Sequence, residues 1–132
     1  MKLLADTSAL LALLLRDDRH HADAVAFLKA TPQARFVLTE LILGEVVTRL
    51  RARAGAERAV AVAGSLLDSR RYEVLFADTG LIREALERLG HFADKRLSLT
   101  DCASFALIDR LRLTGAFAFD HDFRDCGYRM VP

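Results

Sequence analysis

Cysteine is scarce in this 132-residue chain, and the little there is argues against a zinc centre. Cys102 and Cys126 are isolated from each other and lack the paired spacing of a zinc ligand set. Cys102 falls in a helical run, the setting of a small buried side chain. Also missing is any uninterrupted apolar stretch long enough to span a bilayer. The apolar opening is no signal peptide either, because only Lys2 precedes it, a carboxylate interrupts it and no small-residue cleavage site follows. A soluble, cytoplasmic protein is therefore expected. Net charge is nearly lacking, with 19 basic residues against 18 acidic ones, so bulk charge neither points to a nucleic-acid partner nor excludes one. Internal repeats and low-complexity segments are absent. The 52% hydrophobic composition excludes a disordered chain and suits a helix-rich core. One domain spanning residues 1–132 is expected, burying roughly two-thirds of its unfolded surface.

What is present is organised around the first fifteen residues. Leu3-Leu4-Ala5 is a short apolar run that stops at Asp6, and Ala9-Leu10-Leu11-Ala12-Leu13-Leu14-Leu15 follows with almost no loop. The first run reads as a buried strand and the second as a helix, with Thr7 and Ser8 as its capping residues. Asp6 then sits at the C-terminal end of a strand, the edge where open α/β sheets bind ligands. It also has a plainer reading, as the residue that ends the strand or helps cap the helix.

The pattern repeats along the chain. After a polar joint at Arg16–His21, Ala22–Leu28 reads as a helix with Ala22, Val25, Ala26 and Lys29 at helical spacing, and Pro32 closes the section. Arg35–Leu38 reads as a strand, Thr39 as a cap, and Glu40–Ala54 as a helix with Leu43, Val46, Val47, Leu50 and Ala54 on one face. Gly55 separates it from a helix over Ala56–Leu67. Arg71–Phe76 is a further strand and Asp78 caps the helix behind it. A polar loop, Gly90–Arg96, leads to a helix in which Ser98 and Asp101 match a capping box. Ala116–Phe119 is a compact strand ending at Asp120, and Gly127–Val131 reads as an edge strand. Strand and helix alternate throughout, which predicts a three-layer α/β/α fold on a mainly parallel sheet.

Four acids stand out. Asp6 and Asp120 both follow strands, and the helices could bring Glu45 and Asp101 to the same edge. Glu45 alone is explained by an i, i+4 pair with Arg49, Asp101 alone by its capping box, and Glu40 by the helix dipole. Together, four carboxylates in one cleft repel each other and rise in pKa unless a cation intervenes. No lysine stands at a comparable strand end. Such an all-oxygen site suits Mg²⁺ or Mn²⁺. The adjacent His20 and His21 are read as positioning residues at a helix start. The basic residues are nearly all arginine, the side chain best suited to bidentate phosphate contact.

Asp6-Thr7-Ser8-Ala9-Leu10, Leu41-Ile42-Leu43-Gly44-Glu45-Val46, Leu97-Ser98-Leu99-Thr100-Asp101-Cys102-Ala103-Ser104 and Phe119-Asp120-His121-Asp122-Phe123, with Gly127-Tyr128 after them, occur in an order and spacing that resemble the PIN-domain family. The likeness is greatest to the VapC-type toxins of toxin–antitoxin pairs. The resemblance implies that Asp6, Glu45, Asp101 and Asp120 form the acidic quartet that holds Mg²⁺ or Mn²⁺. Asp122 matches an acid found in many members, and Ser8 a small polar residue that supports the first aspartate. His121 lies where the family varies. The implied activity is metal-dependent hydrolysis of RNA phosphodiester bonds, leaving a 5′-phosphate and a 3′-hydroxyl. The implied partners are an RNA substrate, a cognate antitoxin and a second copy in a homodimer. Arg49, Arg53, Lys95 and Arg96 are candidates for RNA contact.

Four rival readings stand beside this one. A dehalogenase-like phosphatase with Asp6 as nucleophile needs a second acid where Ser8 stands. A receiver-like signalling module needs a mid-chain phosphoacceptor and a late lysine. A non-toxin PIN nuclease in RNA processing, or a non-catalytic PIN-like binding module, shares the fold, although the intact quartet argues against the second.

Overall fold

A computed structural model describes all 132 residues. Five strands, β1 (Lys2–Ala5), β2 (Arg35–Thr39), β3 (Tyr72–Leu75), β4 (Ala116–Phe117) and β5 (Met130–Val131), form one sheet in the order β3-β2-β1-β4-β5, and every pairing is parallel. The first two crossovers step outward from β1 through α1 (Thr7–Leu14), α2 (His21–Ala30), α3 (Glu40–Ala54) and α4 (Ala56–Asp68). The next returns across β1 to β4 through α5 (Thr79–His91) and α6 (Leu99–Leu111), and α7 (Asp122–Asp125) precedes β5. Right-handed crossovers running in opposite directions place helices on both faces. The α/β/α layering therefore follows from the strand order, and the direction reverses between β1 and β4, where such sheets open a crevice.

Burial explains why these runs are strands. Leu3, Leu4 and Ala5 of β1, and Phe36, Val37 and Leu38 of β2, are fully buried. Central parallel strands are covered on both faces, so continuous apolar runs replace alternation. The helix over them is apolar all round for the same reason, with Cys102 through Ile108 of α6 buried without interruption. Both cysteines are free thiols. Gly115, just before β4, lies so close to its neighbour that an added Cβ would stand 2.6 Å from the Arg129 carbonyl oxygen. No helix is long and apolar enough to cross a membrane.

Element ends differ from the sequence expectations where α5 runs on through Gly90 and His91 of the expected loop and β5 takes only Met130–Val131 of the expected Gly127–Val131, and four further departures have a physical reason. Helix α1 is capped by Asp6 itself, whose extended backbone and carboxylate accept the Ser8 amide, so Thr7 is already helical. Helix α2 buries Ala24 and packs Phe27 and Leu28 inward, whereas Ala22, Ala26 and Lys29 face solvent. The Phe27 ring lies 5.0 Å from that of Phe117, and one large ring outweighs a row of alanines in choosing the buried face. Glu40 does more than complement a dipole, since its carboxylate accepts the Ala77 amide at 2.8 and 3.1 Å and so ties α3 to the end of β3. Strand β4 ends at Phe117, two residues early, because the Phe119 amide donates to Ser8 Oγ instead of to a neighbouring strand.

Arg71 fastens α2 to the sheet. Its guanidinium donates to the carbonyls of Thr31 at 2.7 Å, Ala34 at 3.2 Å and Leu28 at 3.3 Å, and it stands 5.5 Å above the Phe36 ring. A lysine cannot present that fork. Arg71→Lys should lower stability by about 1–3 kcal/mol, read as a reduced urea midpoint at an unchanged denaturant slope. An unaltered midpoint would show that these carbonyls are equally satisfied by water.

Candidate active site

Asp6 continues the central ladder one step past β1, its amide donating to the Phe117 carbonyl at 3.0 Å. The chain then turns into α1, which leaves the carboxylate 5% exposed at the β1–β4 crevice. Its Oδ2 accepts the Ser8 amide at 3.1 Å and the Ser8 hydroxyl at 2.6 Å. That hydroxyl also accepts the Phe119 amide at 3.0 Å. One serine thus joins the acid after β1 to the segment leaving β4.

The other acids approach from three directions. Glu45 lies in the second turn of α3, and Thr7 Oγ1 donates to its Oε2 at 2.7 Å. The pair with Arg49 that would explain Glu45 locally does not form, because none of the five ion pairs involves Glu45. Asp101 occupies the first turn of α6 in a complete capping box. Its Oδ2 accepts the Ser98 amide at 3.0 Å, and its own amide donates to Ser98 Oγ at 3.0 Å. Asp120 accepts the Asp122 amide at 3.0 Å through Oδ1, which folds the chain into α7 and sets Asp122 beside it.

These acids sense one another. Burial pushes the Asp6 carboxyl up to about 6, against its hydrogen bonds from Ser8, and repulsion from Asp101 adds to the rise. Asp101 is likewise raised, first by burial and then by Asp120 and Glu45, while its bonds to Ser98 pull the other way. Asp122 is raised by burial and then by Asp120 and Asp101. None of the five carboxylates takes part in an ion pair. The result is a negatively charged edge whose acids are paired with no protein cation. No three His, Cys, Asp or Glu side chains stand close enough together to hold a metal ion among themselves. The donors are all oxygens, which matches a hard divalent ion that keeps part of its water shell and takes few protein ligands.

The remaining candidates divide. Asp78 belongs to helix α5, capping it through the Leu81 amide at 2.7 Å and pairing with Arg110 at 3.3 Å. Arg53 is committed to Asp17 at 2.7 Å on the α1–α2 joint, and Arg49 is exposed on α3. Lys95 and Arg96 lie on the loop between α5 and α6. Lys95 is near enough to Cys126 to oppose the rise of its thiol pKa, to which Asp101 and Asp122 contribute, so this lysine stands on the acidic side. His21 Nδ1 lies 2.7 Å from the Ala12 carbonyl, and the His20 ring stacks on Phe119. His121 is exposed and contacts Arg124. Thr7 is the site residue that sequence reasoning missed. Its only signal was a hydroxyl beside the first acid, which capping already explained.

Comparison with known proteins identifies the family. The PIN domain family model matches residues 3–127. The chain is 33% identical over 124 residues to the 23S rRNA-specific endonuclease VapC20 of Mycobacterium tuberculosis, in the sequences of both strains CDC 1551 and H37Rv, covering 93% of this chain and 92% of that protein. The crystal structure of M. tuberculosis VapC20, described as a toxin that cleaves the sarcin–ricin loop, superposes with a TM-score of 0.89 at 30% identity, over 98% of both chains. A toxin–antitoxin complex from Klebsiella pneumoniae matches at a TM-score of 0.68 and 16% identity, over 98% of this chain and 96% of that one, a likeness of fold. Matched by the family model over nearly its whole length and by a relative at 33% identity, the chain belongs to the PIN domain family.

Proposed function

We propose that this chain is a Mg²⁺- or Mn²⁺-dependent endoribonuclease, the toxin of a VapBC-type toxin–antitoxin pair, working as a single domain over residues 1–132. The observation that carries the proposal is the buried Asp6 carboxylate, raised to about 6 and facing other acids with no protein cation. A protein gains nothing in stability from that arrangement, which makes sense as a place prepared for a dication. The relatives named for 23S rRNA and sarcin–ricin loop cleavage make that RNA the first substrate to try.

In this reading Asp6, Glu45, Asp101 and Asp120 hold the metal, with Asp122 at its margin. Mg²⁺ or Mn²⁺ bound there would stabilise charge on the scissile phosphate and lower the pKa of the attacking water. The chain's own contribution is orientation. Ser8 fixes the Asp6 carboxylate with two donors, Thr7 aims Glu45, and the capping box immobilises Asp101. The product ends expected are a 5′-phosphate and a 3′-hydroxyl. An antitoxin and a second copy of the chain are the proposed protein partners. An apolar groove of about 430 Å³ between α1 and α4, lined by Leu10, Leu13, Leu14, Val62 and Leu66, offers one surface for such contacts.

Purified protein incubated with ribosomes or total RNA should cut only with Mg²⁺ or Mn²⁺ and not with EDTA. Asp6→Asn should abolish the cuts while leaving circular dichroism unchanged. Full metal-dependent cleavage by Asp6→Asn would falsify the assignment. Thr7→Val, which frees Glu45, should slow cleavage by about 10- to 100-fold; an unchanged rate would mean that Glu45 needs no positioning.

Stability supplies a test independent of cleavage. In the metal-free chain the Asp6 pKa of about 6 lies above its unfolded value of about 3.9. The native state therefore holds the extra proton between these values, and stability falls as pH rises through that window. Above it the cost reaches roughly 3 kcal/mol. Asp6→Asn should therefore be more stable than metal-free wild type at neutral pH, with the advantage vanishing toward about pH 4. Added Mg²⁺ should raise the melting temperature of wild type more than that of Asp6→Asn. A variant less stable than wild type at every pH would sink the desolvation account.

A further inference from the structure

The segment that carries Asp120 away from β4 also builds a second surface. Phe119, the residue before it, is half-buried, and its ring lies parallel to the His20 imidazole, 4.4 Å between centroids and 6° between planes. Two adjoining grooves of about 380 and 570 Å³ share these rings as a common wall. The smaller groove is further lined by His121, Arg124, Tyr128 and Arg129, with no aspartate or glutamate side chain, and the larger one carries a single acid, Asp23. Arg124 and Arg129 are exposed and belong to none of the ion pairs. Phe119 is also held in register with the acidic edge, because its amide donates to the same Ser8 hydroxyl that binds Asp6.

We propose that the His20–Phe119 ring pair, with Arg124 and Arg129, is a stacking platform for unpaired nucleotides of the RNA substrate beside the scissile phosphate. This inference rests on the ribonuclease reading above. Bases in an A-form duplex are stacked on each other and their edges are hard to reach, so proteins read RNA mainly where strands are unpaired and bases can splay onto aromatic rings. Stacking tolerates every base, since each has a π face, and cations along the groove follow the backbone. Both features are here, one residue from Asp120. Of the four basic residues first singled out from the sequence, Arg53 is already paired with Asp17. The platform selects a loop or single strand over a duplex, while the order of bases is left to other contacts. A protein segment is the competing occupant, but a groove of unpaired arginines and stacked rings suits a polyanion with planar groups better.

Binding without cleavage separates the platform from the chemistry. The Asp6→Asn chain is titrated in Mg²⁺ against a short fluorescein-labelled single-stranded RNA, and against that strand annealed to its complement. His20→Ala, Phe119→Leu, Phe119→Tyr and the double change Arg124→Ala/Arg129→Ala are then added to it in turn. The single strand should bind more tightly than the duplex. His20→Ala and Phe119→Leu should each weaken binding about tenfold, and Phe119→Tyr should keep it. The arginine variant should reduce the slope of log affinity against log salt by about 0.7 for each phosphate that is no longer neutralised. With Asp6 restored, the aromatic losses should raise KM about tenfold and leave kcat nearly unaltered. Should Phe119→Leu misfold, His20→Ala and the arginine variant decide the matter. Unchanged affinity and KM in a chain that still cuts RNA would overturn the platform alone, leaving the ribonuclease reading intact and the groove to a protein partner. A wild-type chain that neither binds nor cuts RNA would overturn both.

Discussion

A carboxylate fixed at the end of a buried central strand, with no protein cation beside it, is the constraint on which this molecule turns. Asp6 cannot retreat into solvent, because its amide belongs to the sheet ladder and its side chain caps α1. Burial of an uncompensated charge costs free energy, and here the neighbouring acids add to that cost. The surrounding fold must supply the offset through packing. It does so with a central sheet in which the β1 and β2 cores are wholly enclosed and with a buried α6 lying over them. The stability of the core and the readiness of the edge for a cation are two consequences of one arrangement.

Capping and metal holding are often weighed as rival explanations of an acid at a helix start, and this site shows why they need not compete. A carboxylate has two oxygens and about four lone-pair positions. The capping bonds of Asp6 land on Oδ2, those of Asp101 use its Oδ2, and Asp120 gives Oδ1 to the Asp122 amide. Each contact removes rotational freedom without exhausting acceptor capacity. A capped acid is therefore a pre-oriented one, and it loses less entropy when a further ligand arrives. Local structure and function draw on the same hydrogen bonds.

The elements were legible in the sequence wherever one physical signal dominated. Glu40–Ala54 and its Thr39 cap could be read to the residue because periodicity, cap and Gly55 agreed. The Ser98–Asp101 box announced itself by spacing alone. Legibility failed where a tertiary contact outweighed local pattern. The small alanines of α2 suggested a face that Phe27 overruled. The run Ala116–Phe119 looks like four strand residues, yet a serine more than a hundred positions earlier takes the Phe119 amide. The site divides likewise. Asp6 and Asp120 are visible as acids that follow apolar runs, whereas the Thr7–Glu45 bond joins residues 38 positions apart, and nothing near either one marks it.

The early end of β4 connects the two halves of the site. Had the strand continued, the Phe119 amide would have turned to the β1 side of the ladder, since those of Ala116 and Ala118 serve β5, and Asp120 would have lain further along the sheet. Because Ser8 captures the Phe119 amide, the chain leaves the sheet plane at the crevice, presents its ring to His20 and folds at once into the turn that carries Asp120 and Asp122. A single hydroxyl, accepting from one side and donating to the other, thus sets both the orientation of the first acid and the position of the aromatic wall. Movement of either element must be felt at the other through bonds of 2.6 and 3.0 Å. A ligand seated on the ring pair would therefore be held in a fixed position relative to the Asp6 carboxylate, two hydrogen bonds away.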